Sequence, residues 1–203
     1  MTYRILSMCA APALLAASML AYAAGPSAKD ITVKVERDGN TFTVNTELTV
    51  AASLDETWDV LVDFDKMAAI LTNVDASKIT NRDGNKFEVV QKSHSSAGLI
   101  KISLDSVRQV ELTPKHEIHS HLVKGDLKSS DFTTRLAEEG GVTKVSVSGK
   151  FVASGLGSAA ITVDAVQAQT QRQYQELREE VLRRKAKEPP PPCILAKNCA
   201  PQV

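Results

Sequence analysis

The feature that most constrains the fold is a long stretch, residues 76–152, in which apolar and polar residues alternate. A period of two is typical of β-strands that bury one face and expose the other. Short turns interrupt the alternation, among them Asp83-Gly84-Asn85 and Thr113-Pro114. Because connections this short join neighbouring strands in an antiparallel way, the pattern predicts an antiparallel meander.

The strands of this sheet can be placed from the turns. Two alternating runs precede the long stretch, at residues 31–37 and 41–50, and the turn Asp38-Gly39-Asn40 joins them as a hairpin. Later strands are predicted near residues 76–82, 86–95, 99–112, 115–124, 127–137 and 142–152. We expect a curved sheet of about six to seven strands.

Helices are predicted in two places. Ser53 and Glu56 have the spacing of a capping box, which begins a short helix, and Asp63 or Asp65 is expected to cap a second. A long amphipathic helix is predicted from about Ala159 to Lys187, because apolar residues recur there every three or four positions. The fold class is therefore α+β, with two short helices inserted after the N-terminal strands and a long C-terminal helix against the sheet.

Both ends of the chain are predicted to lie outside this domain. Residues 1–23 resemble a secretory signal peptide, because Arg4 precedes an apolar run that ends in Ala21-Tyr22-Ala23. A membrane anchor is the alternative, but a run of about 16 residues is shorter than a span requires. We therefore expect export to the periplasm. Residues 24–40 form an N-terminal segment with the first strand, and residues 41–187 form the main domain.

The C-terminal tail, residues 188–203, begins with a run of prolines and is expected to be extended and disordered. It contains Cys193 and Cys199, which an oxidising compartment would join in a disulfide. Their spacing is not that of a zinc site or a thioredoxin-type redox pair.

Composition and motifs exclude several functions. The 24 basic and 24 acidic side chains give no net charge, and only nine residues are aromatic, so we expect no nucleic-acid partner. The domain has no G-x-S-x-G or H-E-x-x-H motif, and no phosphate-binding loop. No catalytic residue and no cofactor is assigned, and enzymatic activity is left open.

His119 and His121 share one face of a strand with Glu117, and His94 could approach them, but the other face carries Ile118. We therefore interpret these histidines as solvated and expect no metal site.

The segment 52–67 contains Trp58-Asp59-Val60-Leu61 followed by Asp63-Phe64. It resembles the first-helix signature of the polyketide cyclase/dehydrase (coenzyme Q-binding-like) branch of the START-like, or SRPBCC, superfamily. The chain departs from that signature at Thr72, where the family has proline, and at Ile70, where an aromatic residue is common. The resemblance extends over residues 41–187 and implies a helix-grip fold. Members of the superfamily include lipid carriers, plant allergens, coenzyme Q chaperones and cyclases.

The interior between sheet and helix is the predicted binding site. Its inward positions hold few large side chains and several small or polar ones, which favours an open cavity; the alternative is a flatter sheet that closes the core. The candidate ligand-binding residues are Phe87, Gln91, Ser93, Ile102, Ile118, Ser120, Phe132, Thr134, Val147, Val166, Thr170 and Tyr174.

Three hypotheses follow for the function. The first is a periplasmic protein that binds or carries a hydrophobic small molecule, whether lipid, quinone-like or polyketide-like, with a transient membrane or envelope partner. The second is a polyketide cyclase/dehydrase-type enzyme acting in the same cavity, with Tyr174 as its best candidate acid or base. The third is a structural domain that uses its proline-rich tail and the basic end of its long helix to meet a partner. No pattern in the sequence specifies the oligomeric state.

Overall fold

The computed structural model describes residues 31–97 and 100–187. In chain order its elements are β1 (Ile31–Asp38), β2 (Thr41–Val50), α1 (Leu54–Leu61), a 3₁₀ helix (Phe64–Lys66), α2 (Met67–Ile70), β3 (Val74–Asp83), β4 (Lys86–Ala97), β5 (Ile100–Thr113), β6 (Glu117–Gly125), β7 (Ser129–Glu139), β8 (Val142–Val152), a second 3₁₀ helix (Leu156–Ala160) and α3 (Val163–Lys185). The predicted signal peptide, the proline-rich tail and the Cys193–Cys199 pair lie outside the described residues.

The predicted α+β fold is confirmed, and its sheet has eight antiparallel strands in the order β1-β2-β8-β7-β6-β5-β4-β3. Strands β3 to β8 pair with their neighbours in sequence, as a meander should. The hairpin of β1 and β2 then joins this meander because β2 pairs with β8, which adds two strands to it. At the other edge, the pairing of β3 with β4 shifts register between Val74 and Ala76 and again between Ile79 and Asn81.

The first short helix begins as the sequence predicts, but the second does not. At α1, Ser53 Oγ accepts a hydrogen bond from the Glu56 amide at 3.2 Å and Glu56 Oε2 accepts one from the Ser53 amide at 2.7 Å, so the capping box is confirmed. Asp63 and Asp65 cap neither the first 3₁₀ helix nor α2 through their side chains, and that prediction was wrong. Asp65 instead accepts from the Ile79 amide on β3 at 2.8 Å.

Helix α3 starts at Val163, four residues later than predicted, because Thr162 caps it: Thr162 Oγ1 accepts from the Ala165 amide at 3.2 Å. With 23 residues it is about 35 Å long. The segment just before it is tied to β1, since Arg37 Nη1 donates to the Ile161 carbonyl at 2.7 Å.

The C-terminal half of α3 is the part that holds the helix to the domain. Leu177 and Val181 are buried in the same core cluster as Trp58 of α1. Ion pairs surround this contact: Arg184 reaches Glu180 at 2.7 Å and Asp63 at 2.9 Å. Arg183 also pairs with Glu180, and Lys185 donates to the Ala51 carbonyl. These three basic side chains, which the third hypothesis assigns to a partner, are therefore bonded within the domain.

Thr72, which stands where the family signature has proline, forms two hydrogen bonds that a proline could not form. The Thr72 amide donates to Glu176 Oε2 at 3.0 Å and the Thr72 hydroxyl donates to Glu176 Oε1 at 2.5 Å. A proline has neither donor. The threonine therefore ties the loop after α2 directly to α3.

We predict that Glu180→Gln lowers stability in a pH-dependent way. Hydrogen bonds from Arg183, and then from Arg184, lower the pKa of Glu180 to about 2 although partial burial opposes this. A carboxylate whose pKa is lower in the folded state stabilises the fold above its ordinary pKa and loses that contribution as pH falls toward the folded value. The Tm difference between Glu180→Gln and the parent should therefore be largest near neutral pH and shrink between about pH 5 and pH 2.

The matched control is Glu179→Gln, which removes the same charge from the same helix but at a side chain whose described contact is with Gln175. A Tm loss for Glu180→Gln that stayed constant across the acid range, or that Glu179→Gln reproduced, would contradict this role of Glu180.

Candidate functional site

A cavity of about 400 Å³ lies between the inner face of the sheet and the N-terminal half of α3. Its walls are mainly apolar. They include Val44, Val89, Ile102, Leu104, Val110, Phe132, Val147, Phe151 and Val166. Cavities of this volume and composition accommodate small molecules in many proteins.

Ten of the twelve candidate residues line this cavity. They are Gln91, Ser93, Ile102, Ser120, Phe132, Thr134, Val147, Val166, Thr170 and Tyr174. The other two, Phe87 and Ile118, face inward but belong to the packed part of the interior. The Phe87 ring lies 6.5 Å from the ring of Phe64 in the first 3₁₀ helix, and Ile118 is buried in the core cluster. The inner face of the sheet is thus filled in one region and open in another.

The side chain that sequence reasoning missed is Arg108 on β5, which lines the cavity. Its Nε donates to Ser120 Oγ at 2.9 Å and its Nη2 to Ser130 Oγ at 3.4 Å. Desolvation by burial lowers the pKa of the guanidinium. The sequence could have revealed this, because Arg108 is an even number of positions from Ile102, Leu104 and Val110 on β5. Residues at such spacings face the same side of a sheet.

A tyrosine from α3 completes this polar region. Desolvation by burial raises the pKa of Tyr174 to about 12, although a hydrogen bond with the Thr134 side chain and the charge of Arg108 oppose the shift. The phenol is therefore neutral at physiological pH and is suited to hydrogen bonding rather than to removing protons. We refer to Arg108, Ser120, Ser130, Thr134 and Tyr174 as the polar cluster.

The histidines occupy two separate places. His119 and His121 have ring centroids 5.8 Å apart on β6, and His119 Nε2 lies 3.2 Å from Asp131 Oδ2. His94 is on the cavity wall, with its Nδ1 2.9 Å from Asp75 Oδ2. Within residues 31–97 and 100–187, no three His, Cys, Asp or Glu side chains come together as a metal site.

Gly149 on β8 shapes the cavity wall. It pairs with Phe132 on β7, and a Cβ at position 149 would meet the Asp131 carbonyl oxygen and lie 2.5 Å from Phe132 Cδ1. Both contacts are closer than real Cβ atoms tolerate. The absence of a side chain at Gly149 therefore sets the position of the Phe132 ring at the cavity.

Comparisons with known proteins relate this fold to others. The sequence profile described as polyketide cyclase / dehydrase and lipid transport matches residues 41–182. Among solved structures, the Zhui aromatase/cyclase from a Streptomyces species is 17% identical with a TM-score of 0.60, over 71% of this chain and 96% of that one. A STAR-related lipid transfer protein from Xanthomonas axonopodis is 13% identical with a TM-score of 0.61, over 78% and 97%. A START superfamily protein from Mycobacterium smegmatis is 15% identical with a TM-score of 0.54, over 70% and 95%.

At these identities the structural likeness concerns the fold alone. A search of curated proteins gives no match to the sequence. Among the described helices, none has both the length and the apolar content needed to span a membrane.

We predict that Gly149→Ala destabilises the protein by about 1–3 kcal/mol, because the added methyl must displace a strand carbonyl and an aromatic ring. Urea denaturation measures the loss. Ser148→Ala, at the neighbouring exposed position of the same strand, is the control and should change the free energy of unfolding by less than about 0.5 kcal/mol. Equal effects of the two variants would show that Phe132 does not depend on the missing side chain.

Proposed function

Because the chain belongs to the START-like family described as polyketide cyclase / dehydrase and lipid transport, we propose that it is an exported protein that binds or carries a hydrophobic small molecule. The observation that carries this proposal is the apolar cavity between the sheet and α3. A lipid, quinone-like or polyketide-like ligand would be held there out of water, and a transient membrane or envelope partner would supply or receive it.

The energetics of such a site are those of transfer from water. Burying about ten methylene groups contributes about 8 kcal/mol before the cost of ordering the ligand is subtracted. The ligand would enter beside the N-terminal half of α3, since Val166, Thr170 and Tyr174 form the helix side of the cavity. The C-terminal half of the helix, which is packed on the core, would stay in place.

A cyclase or dehydrase acting in the same cavity is the second candidate, and the His94–Asp75 pair is the observation that favours it. A carboxylate that orients an imidazole is a common arrangement for general-base catalysis. Tyr174 is less suited to that role because its raised pKa keeps the phenol protonated. Conversion of a polyketide-like compound by the protein, lost in His94→Gln, would distinguish a catalyst from a carrier.

We predict that filling the cavity abolishes ligand uptake. The neutral fluorophore N-phenyl-1-naphthylamine should bind the parent protein, and Val166→Phe should weaken that binding about tenfold or more because the larger ring occupies ligand volume. Gln167→Phe adds the same side chain at the next, exposed position of α3 and is the control. Native mass spectrometry of the purified protein should also detect a bound hydrophobic compound. No probe binding, together with a ligand-free mass, would overturn the proposal.

The export proposal has a separate test. If residues 1–23 are a signal peptide, the protein recovered from the periplasm of a Gram-negative host should begin at Ala24. Replacing Ala21 and Ala23 with bulky residues should leave the precursor uncleaved. Recovery of the full-length chain from the cytoplasm alone would contradict export.

A further inference from the structure

Arg108 brings a positive charge into an interior whose other walls are mainly apolar. Among the described residues, no carboxylate lies within ion-pair distance of its guanidinium. Its hydrogen-bond partners there are the neutral hydroxyls of Ser120 and Ser130, which use two of the five N–H donors of an arginine. A buried charge without a counterion is unfavourable unless something compensates it.

The two side chains that act electrostatically on Arg108, Tyr174 and Asp131, do not fill this role. Asp131 and Tyr174 raise the pKa of Arg108, but desolvation lowers it by more. The Asp131 carboxylate is half exposed and pairs with His119 at 3.2 Å. Tyr174 is neutral at physiological pH, as its raised pKa requires. The positive charge of Arg108 is therefore available to pair with an anionic group of a ligand in the cavity.

We propose that the ligand is a hydrophobic acid whose carboxylate binds Arg108 while its apolar part fills the rest of the cavity. This inference rests on the proposed binding function and specifies the chemical class of the ligand. A guanidinium matches a carboxylate through two parallel N–H···O bonds. A phosphate monoester carries up to two negative charges, which a single arginine would leave undercompensated.

The neighbours of Arg108 support this orientation. Ser120 and Ser130 hold the guanidinium at Nε and Nη2, so its plane is fixed before a ligand arrives. Tyr174 of α3 also lines the cavity, and its hydroxyl can hydrogen-bond to an oxygen of the acid. Val147, Phe132 and Val166 provide apolar contacts for the chain that follows the carboxylate.

The test compares ligands that differ in the head group alone. Hexadecanoic acid and hexadecanol should each displace N-phenyl-1-naphthylamine from the purified protein, at a pH where the acid is ionised. We expect the acid to bind about 10- to 100-fold more tightly, which is the effect of a hydrogen bond to a charged group. Arg108→Met should bring the ratio of the two affinities close to one, and Arg108→Lys should keep part of it because the charge remains.

Arg135→Met is the matched control, since Arg135 is an exposed arginine of β7 that pairs with Glu117, and it should keep the full preference for the acid. The comparison of acid with alcohol on the parent protein needs no variant, so it stands even if Arg108→Met fails to fold. Equal affinities for the two ligands would overturn the assignment of a carboxylate. Failure of the parent protein to bind the neutral fluorophore at all would instead overturn the proposed binding function.

Discussion

The structure depends on α3 being held at one end. Leu177 and Val181 bury that end in the core beside α1, and the bond from Arg184 to Asp63 ties it to the segment that follows α1. The other half of the helix forms one side of the cavity through Val166, Thr170 and Tyr174. One helix thus serves as a core element over its last turns and as a cavity wall over its first ones.

The open part of the interior follows from where the large side chains are placed. Phe64, Phe87 and Trp58 fill the region near the short helices. Beyond them the sheet presents small side chains such as Ser120 and Thr134, which line the cavity. A cavity remains because these small side chains do not fill the space between the sheet and α3.

Much of the fold could be predicted from the sequence because it is local. Strand alternation, short turns and the Ser53–Glu56 capping box each involve residues a few positions apart. The pairing of β2 with β8 joins segments about a hundred residues apart, and periodicity carries no information about it. The roles of Asp63 and Asp65 were wrong for the same reason: their partners are Arg184 on α3 and Ile79 on β3.

The candidate site was predictable to the extent that alternation along a strand determines which side chains face inward. Strand alternation placed seven of the predicted residues at the cavity wall, and the helical periodicity of α3 placed Val166, Thr170 and Tyr174 there. Alternation could not separate Phe87 and Ile118, because only tertiary packing decides which inward positions are filled. Arg108 was missed because the inward face of β5 was assigned from its apolar members alone, although a charge at an inward position is the more informative observation.

The irregular pairing of β3 bears on how this protein behaves at high concentration. An open sheet has two edges, and a regular, flat edge strand can recruit the same strand of another molecule. Here β1 packs against α3, while β3 departs from regular register twice and is mostly exposed and rich in charge. The β3 edge therefore offers no smooth template for continued strand addition. This edge of the eight-stranded sheet is thereby protected from edge-to-edge aggregation without closure of the sheet into a barrel.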